Sequence, residues 1–188
     1  MMMDGVIDVI TGAEIGAAIQ PLMNGLDTPK VQRFPLAVNR VRYAGEWVCA
    51  VVAETRAIAE DALEKIIIDA TPQPFVLDAE EAFLPSSPPV HPEHGSNILL
   101  DRKFVWGTVG EDFVNAEHNL SFSVIWGRNS TVPIETFGVV AEWNGWDNIL
   151  DVWASVQMPK YSDQIARCLN LPGNAVRVHY DVDVGGSY

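Results

Sequence analysis

Hydrophobic period changes repeatedly along the chain, and each change marks an element. Val6–Ile10 (VIDVI) alternates apolar and polar positions, the period of a half-buried strand. Thr11 follows with the chemistry to cap a short helix over Gly12–Ala18. Residues 20–35 carry Pro, Gly, Asn and Asp without a period and read as loop. Val41–Tyr43 and Trp47–Ala53 flank Gly45 and predict two strands around a tight turn. The unbroken apolar run of the second predicts burial on both faces. Thr55 caps a predicted helix over Arg56–Lys65, with Ile58, Ala62 and Lys65 on one side and Glu60, Asp61 and Glu64 toward solvent. Ile66–Asp69 predicts a further strand, and strand–helix–strand with short connections makes a compact layered unit.

Between Pro85 and Pro92 stand four prolines and two serines, which sustain neither helix nor central strand. This predicts a linker over 85–96, between one unit at 1–84 and another at 97–188. In the second, Ile98–Trp106, Leu120–Trp126, Phe137–Trp143 and Ile149–Val156 predict strands, and Gly110–His118 a short helix. Asn144-Gly145 and Asp147-Asn148 predict a hairpin turn. A helix over Lys160–Leu169, ended by Asn170–Gly173, leads to an alternating strand at Val176–Tyr180. The chain starts almost on a strand and stops in a diglycine stretch, so the expectation is a polypeptide that forms part of something larger.

Composition narrows the class. At 48% hydrophobic and 20% charged the 188 residues are globular. With 12 basic against 25 acidic residues the net charge of −13 argues against a nucleic-acid partner, whose phosphates are met by Lys and Arg. No apolar run has the length of a membrane span, and Met1–Asp4 lacks the basic start of a secretory signal. Cys49 and Cys168 lie far apart in apolar patterns, as reduced thiols of a cytoplasmic protein do.

Chemistry-bearing residues are few. His91-Pro-Glu-His94 sits in the linker and reads as solvated loop rather than a rigid metal site; His118 and His179 are isolated, so no metal-ligand set is expected. No dinucleotide fingerprint, phosphate loop or nucleophile elbow occurs, and Cys168 lies mid-helix among apolar residues. Glu135 interrupts an apolar stretch and reads as structural, tied to backbone amides or to an arginine such as Arg128. Gln157 ends an apolar strand before Met158-Pro159. There its amide can either cap the strand or donate to an oxo or carbonyl oxygen of a ligand. Gly185-Gly186 after the last strand lets backbone N–H groups approach a ligand closely.

In this order the pieces resemble the large, molybdenum-binding subunit of the xanthine oxidase family, with aldehyde oxidase and aerobic carbon monoxide dehydrogenase. Asp4–Gly12 (DGVIDVITG), Arg42–Glu54 (RYAGEWVCAVVAE), Ala59–Ala62 and Asp78–Ala82 resemble its a/b hammerhead domain. Pro133–Thr136, Trp153–Pro159 (WASVQMP) and Asp183–Tyr188 (DVGGSY) resemble the start of its first molybdopterin-binding domain. The resemblance implies an α+β chain, a hammerhead-like domain followed by the beginning of a molybdopterin-binding α/β domain. It implies that the Gln157 amide hydrogen-bonds an oxo ligand of molybdenum, and that Gly185, Gly186, Ser187 and Tyr188 form the loop whose backbone approaches the cofactor. Ser187 and Tyr188 stand where the family commonly has Gly and Phe. The implied cofactor is molybdopterin, the cytosine dinucleotide form among its alternatives, with FAD and [2Fe-2S] on partner chains or domains. Partners would be the remainder of the molybdenum subunit, FAD-binding and iron–sulfur subunits, and a small-molecule substrate. The implied function is part of an oxidoreductase that inserts water-derived oxygen into a C–H bond or oxidises CO. The family's catalytic glutamate lies beyond residue 188, so this chain alone is expected to lack turnover. The alternative is a non-catalytic assembly module derived from that family.

Overall fold

The computed structural model describes residues 3–22, 31–127, 132, 134 and 136–180. Strand β1 (Val6–Thr11) pairs antiparallel with β2 (Cys49–Ala53), Val9 opposite Val51 and Thr11 opposite Cys49, with a register shift between Val6 and Asp8. Helix α1 (Gly12–Ala18) starts on a reciprocal cap. Thr11 Oγ1 accepts from the Glu14 N–H at 3.4 Å, and the Glu14 carboxylate accepts from the Thr11 N–H at 2.7 Å. Helix α2 (Arg56–Leu63) is capped by Thr55, whose Oγ1 accepts from Ile58 N–H at 3.3 Å, and it packs against β2 with Ala62 buried. Short helices α3 (Ala79–Ala82), capped by Asp78, and α4 (Val109–Asn115) follow.

The second unit is built on β3 (Val139–Asn144), β4 (Ile149–Ala154) and β5 (Val176–His179), in the order β3-β4-β5. The first two form an antiparallel hairpin in which Asn144 Oδ1 accepts from the N–H groups of Trp146 and Asp147 at 3.0 and 3.4 Å. Helix α5 (Tyr161–Cys168) then crosses back so that β5 runs parallel to β4, Val152 opposite Val178. The core lies here: Val152, Ala154 and Val156 pack with Leu150, Tyr161, Ile165 and Val178. Asn170 adopts φ +56°, and the Leu171 N–H returns to Ala166 C=O at 2.8 Å, closing α5 with the left-handed residue that such ends favour. The halves are joined where Gln20 N–H meets the carbonyl of Cys168 at 2.8 Å.

Several expected strands do not form. Val41–Tyr43, Ile66–Asp69, Ile98–Trp106 and Leu120–Trp126 belong to no ladder among the described residues, and Ile67, Trp106 and Ile125 are exposed. Alternation supplies a strand's face but not its partner, and an extended segment becomes a strand only when another satisfies its backbone. Strand β2 is shorter than its apolar run and alternates half-buried with exposed positions instead of being covered on both faces; among the described elements its main neighbours are β1 and α2. The proline-rich stretch is also more ordered than expected. Asn97 Nδ2 donates to the carbonyls of Ala82 and Pro88 at 3.2 and 3.1 Å, and its Oδ1 accepts from Val90 N–H at 2.8 Å. Within it His91 and His94 are half-buried rather than solvated: His91 Nδ1 lies 3.2 Å from Glu93 Oε1, and His94 Nε2 lies 3.2 Å from Ile98 C=O. Both cysteines are free thiols. Among the described residues no helix is long and apolar enough to cross a membrane.

Candidate functional site

Strands β4 and β5 are parallel, so both leave the sheet at the same edge, the edge where α/β sheets place ligands. Their last paired residues are Trp153 and His179. Beyond Trp153 the chain tightens, Val156 N–H donating to Ala154 C=O at 3.0 Å, and Gln157 follows with an exposed side chain. Pro159 has no N–H to extend the ladder. Beyond His179, the Tyr180 hydroxyl donates to the carbonyl of Met158 at 3.4 Å. This bond ties the residue after β5 to the residue that follows Gln157. Gly185, Gly186, Ser187 and Tyr188 lie outside the described residues, as do Glu135 and Arg128.

The groups behind this edge hold it in place. His179 Nε2 donates to Asp151 Oδ1 at 2.7 Å, and its ring stacks on Trp153 with centroids 4.6 Å apart. This clamp between β4 and β5 went unread in the sequence, because only the parallel register brings residues 28 positions apart together. The role of Tyr180 is hidden for the same reason. Burial, and then the neighbouring Tyr180, raises the Tyr161 phenol above its ordinary pKa. Burial also pushes the Cys168 thiol up, against a smaller opposing pull from Arg167, which suits a packed side chain rather than a nucleophile. His118 is at the surface beside Glu117.

Among the described residues no three His, Cys, Asp or Glu side chains stand together as a metal cage. What the described edge offers is an uncharged amide at the carboxyl ends of two parallel strands. That donor set fits a cofactor carrying its own metal ligands, which needs hydrogen-bond donors to its oxygens rather than protein ligands to its metal.

Comparison with known proteins divides the chain in two. Residues 1–74 match the a/b hammerhead domain of aldehyde oxidase and xanthine dehydrogenase, and residues 90–188 match the molybdopterin cofactor-binding domain. The gamma subunit of the 6-hydroxypseudooxynicotine dehydrogenase complex of Paenarthrobacter nicotinovorans is 35% identical over 153 residues, 81% of this chain and 19% of that protein. Aldehyde oxidase 1 of Cavia porcellus is 32% identical over 190 aligned positions, which cover 100% of this chain and 13% of the relative. The crystal structure of quinoline 2-oxidoreductase from Pseudomonas putida 86 superposes with a TM-score of 0.82 at 26% identity, covering 94% of this chain and 23% of that one. The chain thus spans about a fifth or less of the curated relatives it matches. Its α+β organisation, hammerhead then molybdopterin-binding lobe, is the one expected from the sequence.

Proposed function

The chain belongs to the molybdopterin cofactor-binding family of the aldehyde oxidases and xanthine dehydrogenases, and from that premise we propose that it is part of the large, cofactor-binding subunit of a molybdenum hydroxylase. The observation that carries this reading is the shared edge of β4 and β5. Gln157 follows one parallel strand, and the segment bearing the diglycine follows the other, with Tyr180 bonded to Met158 between them.

In this reading the Gln157 side-chain amide donates to an oxygen of the cofactor. The backbone N–H groups of Gly185, Gly186, Ser187 and Tyr188 close around it. The cofactor, with or without a cytosine nucleotide, supplies oxygen insertion into a C–H bond or oxidation of CO. The [2Fe-2S] and FAD groups that would accept electrons from that chemistry would lie on partner chains or domains. This chain's contribution is preorganisation: a fixed donor in a water-poor site, which transfers no proton. The rest of the subunit must cover the edge and bring the residues that face the small-molecule substrate, so the chain by itself has no turnover. Free Cys49 and Cys168 favour the cytoplasm as its compartment.

The test is Gln157→Ala and Gln157→Glu in the complete enzyme, with molybdenum content and kcat measured together. One preorganised donor is worth about 10²–10³ in rate, so Gln157→Ala is expected to lose activity on that scale while molybdenum is retained. Gln157→Glu, which sets a carboxylate against an oxo oxygen, should lose more. Unchanged kcat in both variants would remove Gln157 from the site. Stoichiometric molybdenum with hydroxylase turnover in the 188-residue chain alone would overturn the dependence on a larger subunit.

A further inference from the structure

A cavity of about 620 Å³, lined by no residue of β4 or β5, lies between the 31–47 segment and the proline-rich strap at 90–99. Its walls combine apolar rings, Phe34, Tyr43 and Trp47, with three groups able to carry positive charge, Arg33, Arg42 and His91. In a molecule with 12 basic and 25 acidic residues, that gathering of cations runs against the overall charge. The carboxylate in the same wall, Glu46, is engaged with the backbone N–H of Arg42 at 2.5 Å.

Arg42 is the group to explain. Its side chain is 19% exposed, yet among the described residues its guanidinium has two contacts, both at the outer limit of a hydrogen bond: Nη1 to Arg40 C=O at 3.4 Å and Nη2 to Glu93 Oε1 at 3.5 Å. Its Nε is buried without an acceptor among the described residues. A guanidinium offers five N–H donors in a planar fork, and leaving it so poorly met in a sheltered place is costly. Glu93 is divided, since it also accepts from His91 Nδ1 at 3.2 Å. An under-satisfied fork beside aromatic walls is a recurrent way to hold a carboxylate attached to an apolar body.

We propose that this cavity binds a small organic carboxylate, with the acid group on the Arg42 guanidinium in place of the long Glu93 contact and the apolar body against Phe34, Tyr43 and Trp47. Arg33 adds a second positive charge to the lining. The site is independent of the molybdenum reading, and nothing in its test involves metal or turnover.

The experiment is equilibrium dialysis at neutral pH of the complete subunit that carries this chain, with phenylacetate, and with phenylacetamide as the uncharged isostere. Phenylacetate should bind saturably at one per chain and phenylacetamide about tenfold or more weaker, the scale of a charge-assisted fork. Arg42→Gln should lose a similar factor. Glu93→Gln, which removes the competing acceptor, should tighten phenylacetate about threefold. Equal binding of acid and amide overturns the proposal, as does wild-type affinity in a folded Arg42→Gln chain. Should Arg42→Gln fail to fold, Glu93→Gln decides, because unchanged or weakened binding in that variant also overturns it.

Discussion

Two glycines of the first helix separate what a residue does from what its letter suggests. A Cβ on Gly12 would lie 1.7 Å from the Ala37 carbonyl oxygen and 2.5 Å from its carbon, atoms of a backbone that cannot move aside. On Gly16 it would meet Val38 Cγ1 at 2.7 Å, a side chain that can turn. Gly12→Ala is therefore expected to destabilise by about 3 kcal/mol, the upper end of overpacking. Gly16→Ala should fall near neutral, because alanine's helix preference of about 1 kcal/mol offsets the crowding. Urea midpoints of the two variants check this, and equal midpoints would mean that α1 does not sit on the 37–38 backbone. The cap at Thr11 is legible in the sequence because capping is local, a hydroxyl three residues ahead of a carboxylate. The need for glycine at the next position is not, because the obstructing carbonyl arrives from 25 residues away. Gln157 follows the same logic: its place at a strand's end can be read locally, whereas the bond that ties its neighbour Met158 to Tyr180 depends on the parallel register.

Among the elements, the strap around His91–Ile98 departs most from its sequence pattern. Proline content rightly denies it helix and sheet, yet side-chain bonds from Asn97 and the Arg42–Glu93–His91 cluster order it against the rest of the molecule. Glu93 is held below its ordinary value of 4.5, first by its own backbone N–H and then by His91 and Arg42, against a desolvation effect of opposite sign. A carboxylate whose folded pKa is depressed contributes stability that is present above its unfolded value and lost as pH falls through the folded one. The strap should therefore hold at neutral pH and loosen only as the solution drops below 4.5. Hydrogen exchange at the amides of 90–98, corrected for intrinsic rates, should show protection falling in that window, and Glu93→Gln should flatten the dependence. Protection lost instead near pH 6.5, the ordinary histidine range, would assign the clasp to His91. The strands expected at 66–69, 98–106 and 120–126 fail for a related reason: alternation is encoded in the segment, but the partner that would complete its ladder is not.

For the whole molecule, area is the deciding quantity. A folded monomer of 20.7 kDa exposes about 8,900 Å² and its unfolded chain about 30,000 Å². This chain exposes 15,543 Å², an excess of about 6,600 Å², more than an ordinary subunit interface removes from both partners together. Large apolar side chains share in that exposure, and in the unpaired stretch 120–126 Leu120, Phe122, Ile125 and Trp126 are each more than 80% exposed. So wide a surface is on the scale of a core continued by further polypeptide, in keeping with a chain that spans about a fifth or less of its relatives. Produced alone, the chain is expected to bind the dye ANS strongly, to self-associate, and to unfold in urea with a slope well below that of a folded protein of its length. Supplying the rest of the subunit in trans should bring ANS fluorescence to background and yield a one-to-one complex on gel filtration. A monomeric, dye-silent chain with a full-sized urea slope would show that these surfaces close on one another, and the proposed dependence on a larger subunit would then lose its physical basis.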